Sequence, residues 1–509
     1  MGWIKMIIKG TEVKEKLLQG INLVADTVKP TLGPQARTVI LQGNPPVIIN
    51  DGVTITKYIS HADPYVQMGI QLVQNLASKA QDNTGDGTTT ACILAQALCQ
   101  GLADSNVIDV HSMKKELESG RNAVLNYIGE MTQEVNDNDV LDIATIAANN
   151  DRELGELITK VLDIVGRDGV ITVEEGNALE TTFEVKEGLE IDEGYFSHLM
   201  AGDTGIAELK NPLVLATNHT LTNFQDMMPV LELASAKGRP LLILCKNIQG
   251  TALSNTLMNI IQGRISCCIV KSPNFGDAQL DELDDITSLL GGRTITDENE
   301  DEINMVKFDE LGQCEKVIIT KNTTTFIGGK GNVKDKVSKL KKMFEETDTN
   351  FDKARLKKRI SRLSGGVAVI RVGAGSSIEM RETKERLDDA LNATKAALQE
   401  GIVLGGGKTL YEARSILHEE VLGENIIKDA LIAPLTALLA NNNHTLTFEL
   451  SNSINAENIG YNALTGEVCN LKEAGIIDPS KVTRSSFSVA MSIAMLFLTT
   501  DVAVMLPEV

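Results

Sequence analysis

The chain has 509 residues and a formal net charge of −21, and only 4% of its residues are aromatic. This length predicts about two to four domains, and the low aromatic content predicts cores built from aliphatic side chains. A strongly acidic surface repels phosphate groups, so the charge argues against nucleic acids and anionic membranes as partners.

The seven cysteines form no Cys-x-x-Cys pair and lie mostly in apolar runs. This pattern is typical of buried thiols in a reducing compartment, and it favours neither a metal site nor a catalytic thiol. We find no signal peptide and no run of about 18 apolar residues. We therefore expect a cytoplasmic protein.

Hydrophobic periodicity predicts the elements of the chain in order. The first part should contain a helix over 12–29 that ends at Pro30, strands over Thr38–Leu41 and Val47–Ile49, and helical structure over 65–132 interrupted near Gly85. The middle should contain strands at Val170–Val173, Phe183–Val185, Pro240–Cys245, Cys267–Val270 and Val317–Thr320, and helices at Pro229–Ala236, Thr251–Ile261 and Leu280–Leu290. Amphipathic helices should return at about 378–400, 424–442 and 485–499.

The alternation of helices and strands from about 187 to 367 is typical of a compact α/β domain. Helical patterns dominate both before and after it. We therefore predict a multidomain α+β protein in which an α/β domain is inserted between terminal segments that fold together.

The segment Thr84–Thr90, with the sequence Thr-Gly-Asp-Gly-Thr-Thr-Thr, lies between two predicted helices. Its glycines let the backbone approach a ligand closely, and a helix start rich in N–H and hydroxyl groups favours an anion. A single carboxylate beside phosphate oxygens, here Asp86, suits Mg²⁺. The alternative is an ordinary helix N-terminus capped by Asp and Thr, and the segment alone slightly favours that alternative.

A second glycine-rich run, Gly405–Thr409, resembles the end of a Walker A loop. Five residues instead of four separate Gly401 from Gly407, and the preceding segment is predicted to be helical. We therefore predict no P-loop at this position. The alternative that these glycines form a surface for a nucleotide is not excluded.

An acidic pair, Asp388 and Asp389, lies within a predicted helix. Exposed acidic pairs are usually solvated charge. One of the two carboxylates could instead hold the attacking water of a nucleotide hydrolase.

Short motifs follow one another along the chain in a definite order. They are Thr31–Pro34, Asp51–Val53, Gly85–Thr90, Leu363–Val369, Asp388–Leu391, Gly405–Gly407, Tyr461–Ala463 and Asp478–Arg484. In this order and spacing the set closely resembles a group I chaperonin of the bacterial GroEL type, over about residues 10–505. The resemblance favours the nucleotide interpretation of Gly85–Thr90 over an ordinary helix cap.

The resemblance implies three domains. They are a mainly α-helical equatorial ATP-binding domain (1–130 and 400–509), a small α/β intermediate hinge domain (131–186 and 368–399), and an inserted α/β apical domain (187–367). It also implies heptameric rings, single or double, that bind non-native polypeptides and meet a GroES-like co-chaperonin. We therefore expect an ATP-dependent chaperonin. The alternative is a ring-forming scaffold or holdase with little ATP turnover.

The resemblance also assigns roles to single residues. Asp86 would bind Mg²⁺, and Asp389 would position the hydrolytic water with Asp51 in support. The other nucleotide contacts would be Thr31, Leu32, Gly33, Pro34, Gly87, Thr88, Thr89, Thr90, Gly406, Asn462, Ala463 and Asp478. The implied cofactors are ATP and Mg²⁺, with K⁺ left open. Because Asp389 would lie on the intermediate domain, hydrolysis would require that domain to close over ATP.

In the family, non-native chains bind an apolar face of the apical domain. The matching positions are Tyr195, Leu199, Met200, Met228, Leu231, Leu253, Leu257 and Met258. Spacing alone favours core packing for these residues, and the resemblance reverses that interpretation. Methionine suits such a face because its flexible thioether adapts to many partners.

The sequence departs from the family pattern at three places. The family's Lys before Asp51 is Asn50 here, which removes a cation near the phosphates. Glu193 and Ser377 cannot form the Arg–Glu pair expected between neighbouring subunits. The charged residues expected at ring-to-ring contacts are absent from 436–445, which holds an Asn-Asn-Asn-His stretch, so we expect weakened ring stacking.

Overall fold

The computed structural model describes residues 7–42, 47–49, 51–105, 107–167, 169–176, 178–347 and 349–505. Asn50, at which the sequence departs from the family pattern, lies outside these residues. The turn predicted over 43–46 lies outside them as well.

The elements of the described part are numbered in chain order. The helices are α1 (Thr11–Val28), α2 (Gly52–Tyr58), α3 (Pro64–Thr84), α4 (Thr88–Asp104), α5 (Val110–Met131), α6 (Asp137–Ala147), α7 (Arg152–Val165), α8 (Phe224–Ala236), α9 (Gly250–Ile261), α10 (Asp277–Leu290), α11 (Val333–Glu346), α12 (Asn350–Gly365), α13 (Ser377–Glu400), α14 (Lys408–Glu412), α15 (Leu422–Ala430), α16 (Ala433–Asn441), α17 (Phe448–Ile454) and α18 (Ser480–Thr499). The strands are β1 (Ile7–Lys9), β2 (Val39–Leu41), β3 (Val47–Ile49), β4 (Val170–Glu175), β5 (Thr182–Lys186), β6 (Gly188–Ile191), β7 (Ala207–Lys210), β8 (Leu213–Thr217), β9 (Thr220–Leu221), β10 (Leu241–Cys245), β11 (Asn247–Ile248), β12 (Cys267–Lys271), β13 (Thr294–Ile295), β14 (Gly312–Ile319), β15 (Thr324–Gly329), β16 (Val367–Val372), β17 (Ile402–Leu404), β18 (Ile459–Asn462), β19 (Glu467–Asn470), β20 (Ile477–Pro479) and β21 (Val502–Val504).

The chain forms two compact units. The outer unit comprises Met1–Lys160 and Ala374–Val509, and the inserted unit comprises Val161–Gly373. Helices dominate the outer unit, whereas the inserted unit mixes strands and helices. The predicted fold class, mainly helical terminal segments with an inserted α/β part, is thereby confirmed. The three domain boundaries stay predictions.

The outer unit is a helical bundle with an aliphatic core. In α1 the buried residues Val13, Leu17, Ile21, Val24 and Val28 recur at helical spacing and face that core. They belong to one buried hydrophobic cluster that also includes side chains of α3, α4, α5, α15 and α18. At the edge of this unit β1 pairs antiparallel with β21, so the first and last described strands are neighbours.

One helix of the described residues, α18, is long and apolar enough to cross a membrane by length and composition. Its mean hydropathy is 1.4, and 61% of the most apolar window is buried inside the fold. That burial is the arrangement of a core helix.

The inserted unit is built on a mixed sheet with the strand order β12-β10-β8-β14-β15-β6. The parallel strands β8 and β10 are buried along their whole length, which agrees with their continuous apolar sequences. A smaller sheet has β16 at its centre, parallel to β4 and antiparallel to β5.

Two predicted helices have different bounds in the structure. Helix α8 begins at Phe224, not at Pro229, because the side chain of Asn223 accepts a hydrogen bond from the Gln225 N–H and caps the helix earlier. The predicted helix over 424–442 is two helices, α15 and α16, and Pro434 lies in the first turn of the second, where proline is tolerated.

All seven cysteines are free, and all except Cys469 are buried. Burial raises the pKa of Cys92 to about 12, so this thiol is unreactive at neutral pH. The predicted buried thiols are therefore present.

Candidate functional site

A cavity of about 450 Å³ lies within the outer unit. This volume is in the range of small-molecule sites. Every residue that the sequence analysis assigned to the nucleotide, the metal or the hydrolytic water lines this one cavity. The segments around Thr31, Asp86, Asp389 and Asn462 thus converge from distant parts of the sequence.

The segment Gly85–Thr90 connects α3 to α4 at the cavity. Gly85 and Gly87 adopt left-handed backbone conformations, with φ of 68° and 85°, which favour glycine. A Cβ atom on Gly87 would lie only 2.4 Å from the Ser486 Oγ. Both glycines are therefore required by the local geometry.

The N-terminus of α4 has no side-chain cap within the described residues. Asp86 instead accepts a hydrogen bond from the Gly87 N–H through its Oδ1. The capped-helix alternative is thus wrong for this segment. The first N–H groups of α4, at Thr88–Thr90, stay available for an anion.

Hydroxyl groups at this end of the cavity also fit a phosphate ligand. The buried Oγ1 of Thr88 has no hydrogen-bond partner in the described structure, and such a group is costly to leave unpaired. The Oγ1 atoms of Thr31 and Thr89 lie 3.4 Å apart. A Cβ atom on Gly52 would come within 2.7 Å of the Thr89 Oγ1, so glycine keeps this cradle open.

Five aspartates line the cavity: Asp51, Asp86, Asp142, Asp389 and Asp478. Burial raises the pKa of Asp86, and the nearby Asp51 raises it further. Burial and then the charge of Asp86 raise the pKa of Asp478 to about 7. Burial likewise raises the pKa of Asp389 well above its usual value, followed by the charges of Asp86 and Asp51. Mutual repulsion of this kind is relieved by a bound cation.

Asp51 has a structural task as well. Its Oδ1 accepts from the Val53 N–H at 3.2 Å and its Oδ2 accepts from the Thr54 N–H at 2.7 Å. Both carboxylate oxygens thus cap α2. This use suits the supporting role assigned to Asp51 better than a role as a base.

The described residues contain no group of three or more His, Cys, Asp or Glu side chains arranged to hold a metal ion. A Mg²⁺ ion bound by one carboxylate and completed by phosphate oxygens and water requires no such group. The donor set around Asp86 therefore fits Mg²⁺ that arrives together with a nucleotide.

The helix α13 presents more than Asp389 to the cavity. Glu385 precedes Asp389 by one helical turn, and both line the cavity, whereas Asp388 does not. Burial raises the pKa of Glu385, with Asp51 adding to it. Arg386 lines the cavity too and donates through its Nη1 to Asp151 at 3.2 Å.

Short strands form another part of the cavity lining. In β20, Asp478 lies opposite Val403 of β17, and Gly406 follows with φ of 63°. Asn462 ends β18, and its Oδ1 accepts from the N–H groups of Leu464 and Thr465. The side-chain oxygen of Asn462 is therefore already used by a turn.

One sequence argument about the run Gly405–Thr409 was wrong. A short strand, β17, and not a helix precedes the glycines. The prediction that there is no P-loop still agrees with the geometry, because Lys408 does not line the cavity. Its buried Nζ donates to the Ala456 carbonyl at 3.2 Å and pairs with Glu412 at 2.9 Å.

Several cavity residues were not foreseen from the sequence. They include Asp142, Asn149, Asn150, Glu385, Arg386 and Tyr461. Helical spacing could have indicated Glu385, since it lies four residues before Asp389. The Asn149–Asn150 pair adopts left-handed backbone with φ near 60°, a conformation in which asparagine is enriched.

The apolar positions predicted to bind polypeptides lie in the inserted unit, seven of them on the 3₁₀ turn His198–Met200 and on α8 and α9, and Tyr195 just before that turn. Leu199, Met228 and Met258 are 53%, 40% and 55% exposed. Tyr195, Leu253 and Leu257 are half-buried against the core. Met200 and Leu231 are core residues, at 8% and 7% exposed, so their positions do not support a surface role.

Comparison with known proteins agrees with this picture. Residues 24–507 match the TCP-1/cpn60 chaperonin family. The chain is 41% identical to the chaperonin GroEL of Methanospirillum hungatei JF-1, over 98% of this chain and 96% of the relative. The chaperonin gp146 of the bacteriophage EL 2 (Pseudomonas aeruginosa), solved in the presence of ATP-BeFx in two crystal forms, is 19% identical over 99% of this chain and 100% of that one. The TM-scores are 0.74 and 0.67, which shows a shared fold.

The chain therefore belongs to the TCP-1/cpn60 chaperonin family. Its similarity to a GroEL confirms the resemblance predicted from the motifs. It is a protein-folding chaperonin.

Proposed function

We propose that this chaperonin is an ATPase whose Mg-ATP hydrolysis drives the binding and release of non-native polypeptides. The observation that carries the proposal is the convergence of the Gly85–Thr90 phosphate cradle with Asp86 and Asp389 in one cavity. The related phage chaperonin was crystallised in the presence of ATP-BeFx, which gives indirect support.

The residues divide the work as follows. The N–H groups of Thr88–Thr90 and the free hydroxyl of Thr88 hold phosphate oxygens. Asp86 holds Mg²⁺, which supplies charge neutralisation at the phosphates when bound. Asp389 orients water for attack on the terminal phosphate. K⁺ is a further cation that the acidic cavity could accept.

The polypeptide site of the proposal is the exposed part of the predicted face: Leu199, Met228 and Met258. Exposed apolar side chains bind the apolar segments that a non-native chain has not yet buried. A GroES-like co-chaperonin would compete for the same side chains. Assembly into heptameric rings, single or double, and a cytoplasmic location complete the proposal.

Two measurements test it. Purified protein should hydrolyse ATP in the presence of Mg²⁺, and it should raise the yield of a denatured test protein on refolding, with and without a GroES-like partner. Suppression of aggregation without any ATP turnover would contradict the proposal and would favour the scaffold or holdase alternative.

A further inference from the structure

The asparagine-rich segment at the end of α16 replaces the charged residues expected at ring-to-ring contacts. Its side chains also make hydrogen bonds within their own subunit. Its first two asparagines, Asn441 and Asn442, hydrogen-bond to two segments that line the proposed nucleotide cavity. Each side-chain amide donates hydrogen bonds to a different wall of the cavity. One wall is the segment that carries Gly33, and the other is the segment that carries Asn462 and Ala463.

Asn441 holds the first wall. Its Nδ2 donates to the carbonyl of Lys29 at 3.0 Å and to the carbonyl of Leu32 at 2.9 Å. Both N–H bonds of the amide are thereby used on the segment that carries Thr31 and Gly33.

Asn442 holds the second wall. Its Nδ2 donates to the Ala463 carbonyl at 2.5 Å and to the Tyr461 hydroxyl at 3.0 Å. Because a carbonyl can only accept, the contact with Ala463 fixes which end of the amide faces the wall. Tyr461 and Ala463 both line the cavity, and they flank Asn462.

The same helix fills the space between the two walls. Leu435, Leu438 and Leu439 of α16 form an apolar cluster with Tyr461 and Ala463, and Leu32 packs against it. A Cβ atom on Gly33 would lie 2.3 Å from Leu438, so this wall rests directly on α16. The distance between the walls thus depends on one short segment.

We propose that Asn441 and Asn442 are positioning residues that clamp the two cavity walls and thereby set the affinity for nucleotide. The proposal rests on the proposed nucleotide site. The described side-chain hydrogen bonds of the two asparagines go to Lys29, Leu32, Tyr461 and Ala463 and not to Asp86 or Asp389. The clamp therefore acts on binding and leaves the chemical step unchanged.

The substitutions Asn441→Asp and Asn442→Asp test the clamp, since each keeps the shape of the side chain and removes both donors. Mg-ADP binding should weaken by about ten-fold in each variant. The KM for ATP should rise in parallel, while kcat at saturating ATP stays unchanged. Asn443→Asp is the matched control: it adds the same charge to the same turn, at an exposed side chain with no hydrogen bond in the described structure.

Asn441→Ser provides a second variant that keeps one hydroxyl donor, and it should give an intermediate loss of affinity. Unchanged ADP affinity in a variant that melts like the parent protein overturns the clamp, as does a fall in kcat with unchanged KM. If the unaltered protein binds no nucleotide, the proposed function itself is wrong. The two failures are therefore distinguishable.

Discussion

Burial and then the carboxylate of Asp86 raise the pKa of Asp389 in the cavity that both residues line. Two acids that repel each other in this way are favourable only when a cation or a proton lies between them. On the proposed function, binding of Mg-nucleotide would relieve this repulsion.

Replacing Asp389 with Ala should abolish hydrolysis while nucleotide binding is retained. A group that orients or deprotonates the attacking water contributes about 10²–10⁴-fold to the rate, whereas Thr88–Thr90 and Asp86 would still hold the phosphates. Single-turnover hydrolysis and binding of a fluorescent nucleotide measure the two effects. Asp388→Ala is the matched control, because its side chain belongs to the same helix and does not line the cavity. Equal loss in both variants would remove Asp389 from its proposed role.

Binding of Mg-nucleotide should release protons from the protein. Burial raises the pKa values of Asp86, Asp389 and Asp478, and the pKa of Asp478, about 7, leaves its carboxyl group partly protonated near neutral pH. A bound cation favours the ionised forms of all three groups. Calorimetry in two buffers with different ionisation enthalpies measures the number of protons. Fewer protons should be released by Asp86→Asn. An identical binding enthalpy in both buffers would show that the aspartates are already ionised.

The nucleotide-free protein should lose stability as the pH rises from about 4 to about 7, in part through Asp478. Its folded pKa of about 7 lies above the ordinary value of 3.8, so the folded state binds more protons in this window and unfolding is favoured as they leave. Asp478→Asn should remove this component. Melting temperatures at about pH 5 and about pH 8 should differ less in the variant than in the parent. Glu457→Gln, at an exposed acid away from the cavity, should not change the difference.

Loss of Arg359 should destabilise the inserted unit. The Arg359 Nε and Nη2 donate to Asp285 at 2.7 and 2.8 Å, and the two side chains are only 8% and 6% exposed. Arg359→Met leaves a buried, poorly compensated carboxylate, which costs about 3–5 kcal/mol. Hydrogen exchange of α10 and α12 should accelerate. The double variant Arg359→Met with Asp285→Leu should recover most of the loss, and the idea fails if it is no more stable than the single variant.

Met258→Glu should weaken capture of a non-native polypeptide without changing ATP hydrolysis. A charge at this exposed position of α9 opposes the burial of apolar segments against it. Binding of a denatured test protein can be followed by light scattering. Met343→Glu is the control, since Met343 is 50% exposed on another helix of the same unit. Similar losses in both variants would indicate a general effect of charge.

Much of the fold follows from local patterns in the sequence. The period of Val13, Leu17 and Ile21 predicted α1 to within one residue at each end, and continuous apolar runs predicted the buried strands β10 and β12. The equally buried strand β8 was not predicted. The start of α8 was missed because Pro229 looks like a first helical residue. The structure shows that the Asn223 cap decides the boundary.

The site could be predicted from its motifs taken together and not from any one of them. Gly85–Thr90 alone slightly favoured a capped helix, and only the full set of motifs indicated a nucleotide. The contacts of Asn441 could not be foreseen, because a side-chain amide that binds carbonyls near residue 30 leaves no periodic signal in the sequence. The sequence indicates which residue types are suited to a chemical task. Packing between residues far apart in the sequence determines which backbone groups their side chains bind.

The pairing of β1 with β21 has a consequence for how the protein is made. A ribosome releases Val161–Gly373 as one continuous segment, complete before α18 and β21 have been translated. The inserted unit thus has all of its own strands while the outer unit still lacks α18 and β21. Because translation runs from the N-terminus to the C-terminus, the cavity, whose lining residues extend to Ser486, cannot be completed until α18 is being translated.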